Sequence, residues 1–160
     1  MTIREALKKA NESIQKNIAD ILDNEVAEAV RKEEISTIIS VVYGVYTPKM
    51  YRRRGDGGGM GDPYNIEHEV KDGVLTVVNK TDPNPGGTIN NDLVTTGKYL
   101  DKLIEYGHGS SGGFYDFPKA GAAFMKPRPF TQRTIENLRN NKAHVDAFRE
   151  GFKRIGYKTQ

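Results

Sequence analysis

The residues of this chain that could do chemistry lie mostly in one glycine-rich stretch. Gly107-His-Gly109-Ser-Ser-Gly112 has the spacing G-x-G-x-x-G. After a strand and before a helix, that pattern lets backbone N–H groups hold a pyrophosphate. Overlapping it, Gly109-Ser-Ser111-Gly-Gly113 fits G-x-S-x-G, which with His108 as base would suggest a hydrolase using Ser111. Both readings require a strand–turn–helix context. Phe114-Tyr-Asp-Phe-Pro118 follows instead, a poor helix start with no βαβ unit around it, so both matches read as accidents of glycine-rich composition. His68, His108 and His144 are the three histidines, and none stands at i+3 or i+4 from another, the spacing a helical metal site would use. Glu67 and Glu69 alternate away from His68 onto a solvated face. No phosphate-binding G-x-x-x-x-G-K-[ST] loop and no EF-hand loop occurs. The expectation is no catalytic residue, no cofactor and no metal.

Surface chemistry is a different matter. Arg52, Arg53 and Arg54 follow Tyr51 and precede a glycine run. They could meet phosphate or a partner's carboxylates, or stand in solvent as an ordinary loop. Tyr43, Tyr46 and Tyr51 beside them have the composition of a docking surface, or pack into the subunit's own core. Phe114, Tyr115 and Phe117 raise the same question in a polar loop, where three aromatics gain little unless something covers them.

The elements that must position these residues follow from composition and period. At 160 residues the chain fits one domain. Cysteine is absent, which excludes disulfides, Cys-ligated zinc, iron–sulfur clusters and thiol catalysis. No stretch approaches the roughly 20 apolar residues of a membrane span, and no signal-like start is visible, so a soluble protein without membrane partners is expected. Fifteen of the 17 glycines fall between Gly44 and Gly121, dividing the chain into helix, loop-rich β middle and helix. Residues 121–160 carry nine basic and three acidic groups, an end that could face nucleic acid or an acidic partner, or be a solvated helix face.

Thr2-Ile-Arg-Glu5 is a capping box that starts a helix. Ile3, Leu7, Ala10, Ile14, Ile18 and Ile21 then form a narrow apolar stripe. Leu22, Val26, Ala29 and Val30 move to the adjoining face, and Ile35, Ile38, Ile39 and Val42 swing back. Arg31-Lys-Glu-Glu34, between them, is where a bend or helix end is expected. An unbroken helix from Thr2 to Val42 would be about 60 Å long. The radius of gyration expected for a compact chain of this length is about 15 Å. Either the helix breaks near residues 23–34, or its first half buries its stripe on another subunit. Tyr64, Ile66, His68 and Val70 alternate onto one side of a strand, Asp72-Gly73 is a hairpin turn, and Val74 to Val78 is the return strand. Leu100–Tyr106 is ambiguous between helix and strand. A last helix opens at Phe130-Thr131 with Thr131 as N-cap, carries Ile135, Leu138, Val145, Phe148, Phe152 and Ile155 on one side, and stops at Gly156. The predicted class is α+β: a long N-terminal amphipathic helix, a central antiparallel β-sheet with long glycine-rich loops, and a C-terminal amphipathic helix. Residues 1–160 form one domain, with 1–34 a helical arm that could make inter-subunit contacts.

The linear order of short motifs carries a resemblance. Tyr46-Thr-Pro48, Tyr51-Arg-Arg53, Gly58-Gly-Met60 with Asp62, Asn65-Ile66 and Asn79-Lys-Thr81 come in turn. Leu103-Ile-Glu105-Tyr-Gly107 and Pro127-Arg-Pro-Phe130 running into Thr134-Ile-Glu136-Asn-Leu138 follow, and Ala147 to Phe152 with Gly156 closes the series. Together, over roughly residues 35–156, they resemble the tail-completion/neck protein family of long-tailed bacteriophages. The resemblance implies a virion protein made in the host cytoplasm. It would form a homo-oligomeric ring, six-fold by analogy, that joins the head connector or head-closure proteins to the tail-tube or tail-terminator proteins. DNA would pass through such a ring and could touch it non-specifically. The family motifs are not catalytic and assign no active-site residue. The residues expected to make contacts are Ile14, Ile18, Tyr46, Tyr51, Arg52, Arg53, Arg54, Phe114, Tyr115 and Phe117. The alternative is a small nucleic-acid-binding protein using the basic C-terminal helix and the Arg52–Arg54 loop.

Overall fold

The structure is a computed structural model, and it describes residues 2–45, 58–81, 100–107 and 126–158. It is α+β. Helix α1 (Ile3–Ile21) leads through a π-turn (Leu22–Val26) into α2 (Ala27–Thr37), which ends in a second π-turn (Ile38–Tyr43). An antiparallel hairpin, β1 (Ile66–Lys71) and β2 (Val74–Asn79), follows a short 3-10 turn at Pro63–Asn65. Helices α3 (Leu100–Tyr106), α4 (Phe130–Asn141) and α5 (Ala143–Arg154) complete the order.

The capping box forms as expected: the Glu5 amide donates to Thr2 Oγ1 at 3.3 Å, and the Thr2 amide donates to Glu5 Oε2 at 2.7 Å. The expected break at Arg31–Glu34 does not occur. The junctions on either side of the first π-turn are right-handed helical, so α1 and α2 form one continuous rod. The extra residue of the π-turn absorbs the change of face, which explains the step of five from buried Ile21 to buried Val26. Arg31 and Lys32 instead extend the helix, pairing with Glu28 at 2.7 and 3.5 Å. Glu34, from the same charged run, is buried.

The hairpin register runs from Ile66 opposite Asn79 to Lys71 opposite Val74. Asp72 (φ 51°) and Gly73 (φ 76°) make its two-residue turn, with the left-handed backbone that such turns require. Ile66 is buried and His68 and Val70 half-buried against the rod, whereas Glu67 and Glu69 face solvent. Tyr64 does not join the Ile66 face. It sits in the 3-10 turn, 93% exposed, because Asp62 caps that turn and delays the start of the strand.

Leu100–Tyr106 resolves as helix. The expected single C-terminal helix is two, divided at Lys142, whose left-handed backbone (φ 56°) breaks the helical path. Its apolar side is correspondingly split, and Ile135 lies exposed. Thr131 is not the N-cap of α4, since Pro129 holds that position with no side-chain bond of its own. The cap comes from Glu105 of α3, whose carboxylate accepts from the Thr131 amide at 2.8 Å and the Gln132 amide at 3.2 Å. Gly156 ends α5 as expected, with φ +90°. The Gly156 amide donates to Lys153 O at 3.0 Å and the Tyr157 amide to Phe152 O at 2.9 Å, while the Phe152 and Tyr157 rings meet edge-on at 5.6 Å.

Ile38, Val42, Met60, Ile104 and Phe130 form the core cluster, with Tyr43 packed on it. It gathers the second π-turn, the 58–62 turn, α3 and the start of α4. Ile21 is fully buried farther along the rod, where α5 passes closest at Gly151.

Candidate assembly surface

The apolar stripe of the rod changes character along its length. Ile21 is fully buried and Ile18 half-buried, but Ile14, Leu7 and Ile3 are 46%, 66% and 83% exposed. Among the described residues, the rod is packed from about Ile18 onward and projects before it. The eight residues from Leu7 to Ile14 rise about 10 Å, with Leu7, Ala10 and Ile14 at spacings of three and four, the seam by which helices pack on helices. The predicted contact residues Ile14 and Ile18 therefore sit at the edge of the projecting part. Ile3 and Leu7, in the stripe but not among the predicted contacts, are the most exposed of its large side chains. Tyr46, Tyr51, Arg52, Arg53, Arg54, Phe114, Tyr115 and Phe117 lie outside the described residues, as do His108, Ser111 and most of both long loops.

A second feature is polar. Asn79, at the end of β2, donates from Nδ2 to Met60 O at 2.9 Å and to Glu34 Oε1 at 3.2 Å. Its Oδ1 accepts from Thr81 Oγ1 at 2.6 Å and the Thr81 amide at 3.2 Å. Asn65 Nδ2 donates to Gly59 O at 2.8 Å, and the Asp62 carboxylate accepts from the Gly58 and Tyr64 amides. Burial pushes the Glu34 carboxyl above its usual range, opposed by the Asn79 hydrogen bond. The node ties α2, the 58–62 turn and the hairpin together, and its members hold one another. Asn65, Asn79 and Thr81 are thus joints between elements.

The same holds at the other motif pair. Ile104 O accepts from the Arg128 amide at 2.8 Å beside the Glu105 cap, and Arg128 Nη1 donates to Val42 O at 3.3 Å. His68 is a joint too. Arg31 can only donate, so Nδ1 accepts from Arg31 Nη2 at 2.9 Å. In the neutral ring Nε2 then carries the proton and faces Asp23 Oδ1 at 3.2 Å. His144 is half-buried rather than on open surface, with Nδ1 covered and unpartnered among the described residues. Among the described residues, no group of three His, Asp or Glu side chains could hold a metal ion. No described helix is long and apolar enough to cross a membrane.

Among the described residues, four of the nine basic groups of the C-terminal end form ion pairs within the subunit. Arg154 reaches Asp20 and Glu25 on the rod, Arg149 pairs with Asp146, Lys153 with Glu150, and Arg133 with Glu136. Beside that contact, an open groove of about 650 Å³ runs between the rod and α5. Ala29, Ala143 and Ala147 form its small-residue wall, with Glu25, Glu28, Glu33 and Lys32 around it. Its sequence signal was the i, i+4 pair Ala143 and Ala147, which gains meaning only once α5 lies against α2.

A protein-family profile described as YomN matches residues 6–154, from the first turn of α1 to the last residue of α5. The SPbeta prophage-derived uncharacterized protein YomN of Bacillus subtilis (strain 168) is 31% identical over 123 residues, covering 76% of this chain and 72% of that protein. No solved structure matches.

Proposed function

Because this chain belongs to the YomN family, we propose that it is a structural protein of a phage particle and works by assembly rather than catalysis. Phage origin is supported by the prophage-derived relative. The observation that carries the assembly reading is the apolar stripe of Ile3, Leu7 and Ile14, which stands exposed among the described residues. The finer assignment is a homo-oligomeric ring of the neck or tail-completion type, six-fold by analogy, between head connector and tail tube. It rests on the order of motifs from Tyr46 to Gly156. The joints made by Asn79, Glu105 and Arg128 support it by giving those motifs a shared architectural role. The alternative, nucleic-acid binding by the basic C-terminal helix, is separated from this reading by a salt titration, because phosphate binding weakens steeply with salt whereas apolar contacts do not.

Sedimentation velocity of the full chain tests the reading. Wild-type protein should form a defined multimer as concentration rises. Leu7→Glu combined with Ile14→Glu should weaken association about 100-fold or more, because two apolar contacts are lost and two charges would have to be buried. Both positions are exposed, so the melting temperature of the monomer should hardly change. A wild-type chain that remains monomeric at high concentration would refute the reading.

A further inference from the structure

Among the described residues two surfaces stand open, and they match each other. The first is the projecting part of α1, where Leu7, Ala10 and Ile14 form an apolar seam about 10 Å long. Arg4, Lys8, Lys9 and Lys16 outnumber Glu5 and Glu12 around it. The second is the groove between α2 and α5, whose rod wall from Glu25 to Glu33 is about 12 Å long at the helical rise. That is room for two helical turns. Ala29, Ala143 and Ala147 let a helix approach closely, as small residues do at helix crossings. At its rim Arg154 offsets Glu25, and Arg31 and Lys32 offset Glu28, so Glu33, held by the neutral Asn141 amide, supplies the negative charge that faces the seam's basic surroundings.

The two surfaces cannot meet within one copy. Leu7 and Ala29 belong to one continuous rod, 22 residues apart, a rise of about 33 Å. An α1 seated in the groove must therefore belong to another molecule. Resting on the assembly reading above, we propose that α1 of one copy lies with Leu7, Ala10 and Ile14 in the α2–α5 groove of the next copy. The contact joins two different surfaces, so it is head-to-tail. Each copy offers one arm and one groove, and repetition produces a closed ring where the rotation per copy divides a full turn, or a filament where it does not. Two α1 helices paired with each other would bring like-charged surroundings together, whereas the groove presents the opposite sign.

The absence of native cysteine makes the test direct. Ala10→Cys marks the arm and Ala147→Cys the groove, both small substitutions in the full-length protein. When the two variants are mixed and treated with a short bis-maleimide, the cross-linked dimer should contain one of each. Its yield should be at least tenfold above that of either variant alone. The doubly substituted chain should give a ladder of multimers. Self-cross-linking of Ala10→Cys alone would show α1 pairing with α1 and overturn the seating. So would a chain that assembles in sedimentation yet gives no arm–groove product. A chain that never assembles would end the assembly reading itself, a separate failure visible before any cross-linker is added.

Discussion

Asn79→Ala is expected to lower folding stability by about 3 kcal/mol, since the change strands several buried polar groups at once. Met60 O and Glu34 Oε1 lose their donor, the Thr81 amide loses its acceptor, and the Thr81 hydroxyl keeps only its longer bond to Gly59 O at 3.4 Å. Water reaches none of these groups easily, for Glu34, Met60 and Thr81 are all buried. For a chain of this size the loss corresponds to a fall of about 8 °C in melting temperature, read by calorimetry or thermal circular dichroism. Glu34→Gln is the contrasting case. It keeps the acceptor for Asn79 and removes a carboxylate that burial disfavours. Because the Glu34 pKa is raised in the folded state, the folded protein holds the proton at pH values where the unfolded chain has released it. Wild-type stability should therefore fall as pH rises above the ordinary value of 4.5 and through the raised one. In Glu34→Gln that slope should flatten, with stability at neutral pH equal to or above wild type. A change below about 1 kcal/mol for Asn79→Ala would show that the node is not a joint.

The second large effect lies at Gly151. A glycine inside a helix is usually a weakness, and alanine there gains about 1 kcal/mol of helix propensity. In α5 the balance reverses. A Cβ at position 151 would stand 2.5 Å from Ile21 Cγ2 and 2.9 Å from Cγ1. Ile21 is fully buried and β-branched, so it has little rotamer freedom with which to retreat. Gly151→Ala should destabilise by about 2 kcal/mol net, through separation of α5 from the rod. Placed in an Ile21→Ala background, the same substitution should cost far less, because the two nearest atoms are gone and only the residue-21 Cβ, 3.1 Å away, remains in the path. Denaturant titration of the four proteins gives the coupling, expected to exceed 1 kcal/mol in size. Additive effects would contradict the close approach.

Local chemistry was legible in the sequence where both partners lie within a few residues. The Thr2–Glu5 box, the Asp72-Gly73 turn and the Gly156 stop are of this kind, each specified by backbone geometry that only certain residues satisfy. The phase slip between the Ile3–Ile21 stripe and Leu22 was visible too, but a bend and an inserted residue produce the same pattern. The π-turn is the second of these. Thr131 looked like a cap because its hydroxyl suits the role. The true cap, Glu105, comes from 26 residues away, and no local pattern announces it. Lys142 adopts a left-handed conformation without being glycine or asparagine, aided by the Asn141 side chain, which accepts from the Ala143 amide at 3.0 Å. Glu34 stood in the charged run expected to be a bend or helix end, and its bond to Asn79 from the hairpin accompanies its burial.

Of the candidate surface, the sequence showed the stripe but not where it leaves the body of the protein. That boundary depends on α5 reaching Ile21 through Gly151, a contact between opposite ends of the chain. The groove depends on the same packing, with Asn141 Nδ2 donating to Glu33 Oε2 at 2.9 Å and Arg154 holding Asp20 and Glu25. The ends of the chain thus build the surface, while the hairpin and the polar node brace the middle of the rod.

The most direct measurement of the central claim is the protein content of purified phage particles from a host that produces this chain, determined by quantitative mass spectrometry. The account predicts that the chain copurifies with intact particles at a constant, small number of copies per particle, the same in independent preparations. Its absence from particles, with all of it recovered in the soluble host fraction, would contradict the account.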